Sequence, residues 1–139
     1  MKTSRLIIIL IVLTILPFSC KENKQETSQM KEVLAIHDEV MPKMGTIGNL
    51  ISELDEKINE SNPDNRYSKA RQNLKDSHKS MMDWMKHFGD RFDGDEIMKG
   101  KTLTEEKQMW LNEEEAKVKT LRDQINTSIK TAEDLLKSN

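Results

Sequence analysis

Apolar side chains recur every three or four residues through most of this 139-residue chain, and no other feature restricts the fold as much. Spacing of this kind places one apolar stripe along an α-helix. No segment shows the alternation typical of a β-strand, and no internal repeat has a fixed period. The pattern therefore predicts an all-α protein. In the first stretch, residues 30–60, the stripe consists of Val33, Ile36, Val40, Met44, Ile47, Ile51, Leu54 and Ile58.

Proline interrupts this first stretch. Pro42 lacks the N–H that an α-helix requires, and its ring clashes with the carbonyl four residues earlier, that of Asp38. Gly45 and Gly48 weaken the helix further. We therefore expect a kink or a break near Met41.

A second helix is predicted over residues 63–88. It follows the start signal SNPD at residues 61–64, which combines a polar cap with a proline in the first turn. Gly89 is a candidate C-terminal stop. The apolar stripe of this helix consists of Tyr67, Ala70, Leu74, Met81, Met85 and Phe88, with Trp84 beside it.

A third helix is predicted over residues 102–137, after a connecting loop at residues 90–100 that carries acids and glycines. Thr102 is the expected cap, with Glu105 completing a capping box. The inward stripe consists of Trp110, Val118, Leu121, Ile125, Ile129, Ala132 and Leu135, and the other face pairs Glu113 with Lys117 and Glu115 with Lys119.

Three long helices with short connections predict an antiparallel, up-down-up three-helix bundle with coiled-coil-like packing in a monomer. The same stripes would suit an antiparallel coiled coil between two molecules, so that alternative stays open. The predicted core includes Ile47, Ile51, Leu54, Leu74, Met81, Trp84, Leu121 and Ile125.

The N-terminus has the three regions of a bacterial lipoprotein signal peptide, predicted over residues 1–19. Lys2 and Arg5 precede an uncharged run at residues 6–18, and a small residue, Ser19, stands before Cys20. The run is short of the roughly 20 apolar residues that a spanning helix needs. We therefore predict that Cys20 becomes the lipid-modified N-terminus, carrying palmitate and anchoring the domain to the cell envelope. Lipoproteins of the Bacteroidota have similar loose lipoboxes that end in Ser-Cys, which implies an outer-membrane location in either leaflet.

After the signal, the polar segment at residues 20–29 is predicted to be a flexible tether for a single domain at residues 30–139. Without residues 1–19 the chain carries 20 Lys and Arg against 24 Asp and Glu, a net charge of −4. No basic surface for nucleic acid is therefore expected. Because Cys20 is the only cysteine, no intramolecular disulfide can form.

Histidine and methionine share a helical face in two segments. His37, Met41 and Met44 are spaced i, i+4, i+7 in the first helix, and the second helix carries His78, Met81 and Met85. Imidazole and thioether together form a ligand set that selects soft Cu(I). The alternative is that the methionines fill gaps in the core, which is their commoner role.

Other site chemistry is weakly represented. The acidic residues 90–96 do not fit the calcium-binding EF-hand template and suit a solvated loop. No phosphate-binding glycine loop, Gly-x-Ser-x-Gly or His-Glu-x-x-His is present. We therefore expect no enzymatic activity and no cofactor.

Two segments, residues 30–45 (MKEVLAIHDEVMPKMG) and residues 81–88 (MMDWMKHF), resemble those of small Bacteroidota lipoproteins labelled "viral A-type inclusion protein". The label describes coiled-coil-like composition, and the resemblance implies a helical envelope lipoprotein without assigning an activity. The leading expectation is a membrane-anchored helical module that binds or supports another envelope protein. The alternative is a periplasmic Cu(I)-binding protein that uses the histidine and methionine clusters.

Overall fold

The computed structural model describes residues 20–59 and 65–138, and the side chains of 28–58 and 65–138. Residues 1–19, the predicted signal peptide, and residues 61–64, the predicted helix start, lie outside this part. The described residues form helices and short connections and contain no strand, which confirms the all-α prediction. None of these helices is both long enough and apolar enough to span a bilayer. The helices are α1 (Cys20–Val40), α2 (Lys43–Asn59), α3 (Asn65–Arg91), α4 (Gly94–Lys99) and α5 (Glu105–Lys137).

The first predicted helix is divided in two at the expected position. α1 ends at Val40 and α2 begins at Lys43, on either side of Met41 and Pro42. The Met41 N–H still donates to the His37 carbonyl at 2.9 Å, whereas the Met44 N–H bonds three residues back, to Met41, at 3.1 Å. This tighter turn carries the chain past the missing proline N–H.

The start of α1 differs from the prediction. Residues 20–29 are helical, so they are not the irregular tether expected from their polarity. The segment is rich in Lys, Glu and Gln, which are good helix formers. Gln29 also ties α1 to α5, because its Nε2 donates to Asn112 Oδ1 at 2.8 Å. Local propensity together with this contact extends the helix towards the N-terminus.

The connection after α3 also differs. α3 continues through Gly89 to Arg91, so Gly89 is not the stop, and the predicted loop contains the short helix α4. Asp93 caps α4, since its side chain accepts hydrogen bonds from the backbone of Asp95 and Glu96. The Glu96 side chain accepts from the Asp93 N–H in return, which completes a capping box.

α5 begins three residues later than predicted, and its cap lies two residues later. The cap is Thr104, whose hydroxyl accepts from the Lys107 N–H at 3.2 Å, and Thr102 lies before it. Gly100, with φ of 67°, ends α4 in the left-handed conformation that glycine adopts without strain. The cap predicted at Thr102 is therefore wrong by two residues, and Thr104 is followed at the third position by Lys107 instead of an acid.

Cross-helix contacts show the relative directions of the helices. Ser77 and Arg91 of α3 bond to Ser128 and Glu114 of α5, so these two helices are antiparallel. As the chain advances through α1 and α2, the residues that they contact on α5 also advance in number. Gln29 bonds to Asn112 and Lys43 bonds to Asn126, which makes these segments parallel to α5. α2 also packs on α3, with Arg71 Nη1 2.5 Å from Asp55 Oδ1.

One core lies between these segments. Seven of the eight predicted core residues are buried, and Ile51 is half-buried against the others. The stripes of α1, α3 and α5 all contribute, so the periodicity of the sequence identified the buried face correctly. The largest fully buried side chains include Ile47, Leu54, Tyr67, Leu74, Met81, Leu111 and Ile125.

Candidate functional site

The end of α1 brings His37 against α3. His37 Nε2 lies 3.3 Å from the sulfur of Met85, and Nδ1 lies 2.9 Å from Asp38 Oδ1. The His37 side chain is 26% exposed, so the contact is reachable from solvent. His37, from the predicted cluster of the first helix, therefore contacts Met85, from the predicted cluster of the second.

The other predicted metal ligands are dispersed. Met81 is fully buried in the core, and Met41 and Met44 are half-buried against it. His78 is exposed on α3. In the part of the chain that the structure describes, no group of three or more His, Cys, Asp or Glu side chains is positioned to hold a metal ion. Among the predicted soft-metal ligands of the described residues, His37 and Met85 are a pair that the structure brings into contact.

A row of aromatic rings continues from His37 along α3. The Trp84 ring lies 6.1 Å from the imidazole, centroid to centroid, and 5.0 Å from Phe88, which is in turn 4.9 Å from Phe92. Trp84 is 7% exposed, and its indole Nε1 is buried with no hydrogen-bond partner among the described residues. Buried indole N–H groups usually have a partner, so this donor is notable.

Trp84 also lines a groove of about 530 Å³ between α3 and α5. We call this the α3–α5 groove. Leu121 forms part of its apolar wall, and a second hollow of about 450 Å³ continues along the same helix pair. Thr120 and Gln124 line both, so the two hollows are contiguous. The lining also includes Ser80, Asp83, His87, Glu114, Ala116 and Lys117.

Glu114 is the most unusual residue of the groove, because its side chain is only 1% exposed. Its Oε1 accepts hydrogen bonds from Arg91 Nη1 and Lys117 Nζ, both at 2.9 Å. Its Oε2 is buried and has no partner among the described residues. Two cations therefore stabilise a buried carboxylate that keeps one oxygen free to accept a hydrogen bond.

Charged side chains surround the groove. Lys79, bonded to Asp83, holds the pKa of that carboxyl below its usual value, and Arg91 does the same to the pKa of Glu113. Both acids therefore stay ionised at neutral pH. The predicted pair Glu115–Lys119 is confirmed, whereas Glu113 pairs with Arg91 instead of Lys117. Acidic and basic side chains alternate around the groove, so its charges select neither a strongly cationic nor a strongly anionic ligand.

Sequence reasoning missed Glu114 and the groove, although a signal was present. Leu111, Glu114 and Val118 share one buried stripe of α5, so an acid occupies a position where the period requires an apolar residue. Ser77 and Ser128 interrupt their stripes in the same way, and their hydroxyls bond at 3.0 Å. A polar residue at a position where the period predicts an apolar one was the sequence signal for these buried polar groups.

Among the residues whose side chains are described, two large exposed apolar residues lie at one end of the bundle. Met98 on α4 is 78% exposed and Met109 near the start of α5 is 60% exposed. α1 runs parallel to α5, so its first residue, Cys20, lies towards this end as well.

Comparisons of the chain with protein-family models, with curated proteins and with solved structures gave no match in any of the three searches.

Proposed function

We propose that this chain is a lipid-anchored, non-enzymatic helical module of the cell envelope, which binds a second envelope protein in the α3–α5 groove. We further propose that its segments form an up-down-up three-helix bundle, with α1 and α2 as the first segment, α3 as the second and α5 as the third. The antiparallel pairing of Ser77 with Ser128 and of Arg91 with Glu114 supports that arrangement.

The observation that carries the binding role is the pair of unsatisfied groups in one groove. Trp84 Nε1 is a donor and Glu114 Oε2 is an acceptor, and both belong to side chains more than nine-tenths buried. An amide group of a partner polypeptide offers one acceptor and one donor, which is the matching set. Both atoms are shielded from solvent, so a partner segment with apolar and amide groups would reach them by displacing the side chains that cover them, and it would also cover Leu121.

The length of the groove also suits a polypeptide partner. Its lining on α3 extends from Asn73 to His87 across the two contiguous hollows. At 1.5 Å per residue this is about 21 Å, or four helical turns. Amphipathic helices bind in grooves through an apolar face, which here would contact Trp84 and Leu121, while polar groups of the partner would meet the polar lining of the second hollow.

The anchor is proposed at the end of the molecule where α1 begins. In that orientation Met98 and Met109 face the lipid surface, and the α3–α5 groove runs along the side of the domain from that end. A single acyl chain anchors only marginally, so a diacylated Cys20 is required for stable attachment.

Labelling with radioactive palmitate tests the anchor. The parent chain is expected to incorporate the label and partition with membranes, whereas Cys20→Ala is expected to do neither. Protease treatment of intact cells then assigns the leaflet, since only a surface-exposed domain is cut. An unlabelled parent chain, or membrane partitioning that survives Cys20→Ala, contradicts the anchor.

Site-specific photo-crosslinking tests the binding surface. A photoreactive residue at Thr120, exposed in the groove, is expected to capture one reproducible envelope protein. The same residue at Thr46, exposed on α2 outside the groove, serves as the control and should not. Thr120→Arg should abolish co-purification of that partner while leaving the helical content unchanged. Equal capture from both positions would contradict the groove as the binding site.

A further inference from the structure

Two groups with lone pairs face each other where α1 meets α3. His37 Nε2 is 3.3 Å from Met85 Sδ, and His37 Nδ1 is 2.9 Å from Asp38 Oδ1. An ionised carboxylate only accepts hydrogen bonds, so the contact with Asp38 suits the imidazole tautomer that carries its proton on Nδ1. Nε2 is then unprotonated, and a thioether has no hydrogen to donate. Either a proton or a soft metal ion between the two atoms would turn this contact into a favourable one.

We infer that His37 and Met85 bind one Cu(I) ion between Nε2 and Sδ. Imidazole and thioether are soft or borderline donors, and Cu(I) is the biological ion that such a pair selects. With the roughly 2.0 Å and 2.3 Å at which zinc binds nitrogen and sulfur ligands, two donors at the angles of about 100–120° found in a three- or four-coordinate site are about 3.3–3.7 Å apart, so the ion needs at least one ligand besides this pair. The observed separation of 3.3 Å lies within that range.

Asp38 occupies the position of an outer-shell partner. Metal-binding histidines usually donate their second ring N–H to a carboxylate or a carbonyl, which fixes the tautomer and the ring orientation. The His37–Asp38 contact has that geometry before any ion binds. His37 is 26% exposed and Asp38 is largely exposed, so an ion can enter from solvent.

The structure revises the ligand set expected from the sequence. His78 is exposed, and Met81 is fully buried in the core, so neither belongs to the site. Met41 follows His37 by one helical turn and its N–H bonds to the His37 carbonyl, which places a further thioether on the same face. This inference does not depend on the proposed partner or on the α3–α5 groove.

Anaerobic titration with Cu(I) against a chromophoric chelator tests the site. The full chain is used in detergent with Cys20→Ser, because an unmodified Cys20 thiol would itself bind Cu(I). One ion per chain is expected. His37→Gln and Met85→Leu should each abolish that binding, while His78→Gln and Met109→Leu, exposed controls of the same chemistry, should retain it. Met85→Leu nearly conserves volume, so the fold is expected to persist.

Two further measurements separate coordination from a structural role. Asp38→Asn should weaken binding by about 10–100-fold, as loss of an outer-shell partner does. In a Trp110→Phe chain the remaining indole, Trp84, lies 6.1 Å from the imidazole, so its fluorescence should be quenched with 1:1 stoichiometry. No 1:1 binding, or binding that survives both His37→Gln and Met85→Leu, overturns the proposal. So does NMR evidence that the imidazole stays protonated on both nitrogens at neutral pH when Cu(I) is present.

Discussion

Arg91 of α3 bonds to the buried carboxylate of Glu114 on α5, with 2.9 Å between Arg91 Nη1 and Glu114 Oε1. The same guanidinium reaches Glu113 Oε2 at 2.7 Å and lies over the Trp110 ring, 5.4 Å from its centroid. Lys117 supplies a second cation to Glu114. Arg91 therefore connects three side chains of α5 to α3 beside the groove.

Arg91→Met is expected to destabilise the fold. The buried Glu114 carboxylate would keep its bond from Lys117 but lose the one from Arg91. A buried polar group that loses a partner costs about 1–3 kcal/mol of folding free energy. Urea unfolding followed by circular dichroism measures the change. Lys79→Met, which breaks an exposed pair with Asp83 within one helix, is the control and should leave the midpoint unchanged. Equal midpoints for Arg91→Met and the parent would show that Lys117 alone suffices.

Leucine truncation tests the core. Leu74 is fully buried, so Leu74→Ala should lower the free energy of unfolding by about 2–5 kcal/mol. Leu121 is 5% exposed and lines the groove, so water can fill part of the space that its side chain would leave. Leu121→Ala should therefore lower the free energy of unfolding by an amount at the lower end of that range. Met98→Ala, at an exposed position, should stay within about 0.5 kcal/mol. A Leu74→Ala protein that melts like the parent contradicts this core.

The core was predictable from sequence because helical periodicity is a local property. Ile47, Leu74 and Ile125 fall on stripes that the sequence shows directly, and all are buried. The break at Pro42 was predictable for the same reason, since it depends on one missing N–H. α4 was not, because its cap depends on the Asp93 side chain bonding the backbone of Asp95 and Glu96, and the acidic composition resembles an ordinary loop.

The candidate site was less predictable because it depends on register between helices. His37 and Met85 are 48 residues apart, and nothing local selects Met85 over Met81 as the thioether that meets His37. The groove likewise requires Trp84 and Glu114 to come together from different helices. Sequence patterns identify faces, whereas the axial offset of two packed helices decides which members of those faces meet.

Two glycines should respond oppositely to alanine substitution. Gly48 lies inside α2 with open space around the position of an added Cβ, so Gly48→Ala should raise the free energy of unfolding by about 0.5–1 kcal/mol. Gly100 has φ of 67°, where a side chain is strained, so Gly100→Ala should lower it by about 1–2 kcal/mol. Thermal and urea unfolding of both variants provide the comparison. Shifts of the same sign would contradict one of these backbone assignments.

The cap of α4 should make stability depend on pH. Asp93 Oδ1 accepts from the N–H groups of Asp95 and Glu96, both at 2.9 Å, and Oδ2 accepts from Lys101 Nζ at 3.0 Å. The bond from the Glu96 backbone, followed by the Lys101 ammonium, lowers the pKa of Asp93 below its ordinary value of 3.8. Since the folded pKa is lower than the unfolded one, the ionised carboxylate stabilises the fold above about pH 3.8. That contribution is lost as pH falls through the folded pKa.

Asp93→Asn and Asp93→Ala separate the charge from the cap. Asn keeps an acceptor for the helix N–H groups but removes the charge, so this variant should be less stable than the parent at neutral pH. The difference should shrink as the pH falls below 3.8 and disappear once the parent carboxyl is protonated. Ala also removes the cap, so part of its deficit should persist in acid. Urea unfolding at a series of pH values measures both. A deficit of Asp93→Asn that is the same at every pH would show that the charge of Asp93 does not stabilise α4.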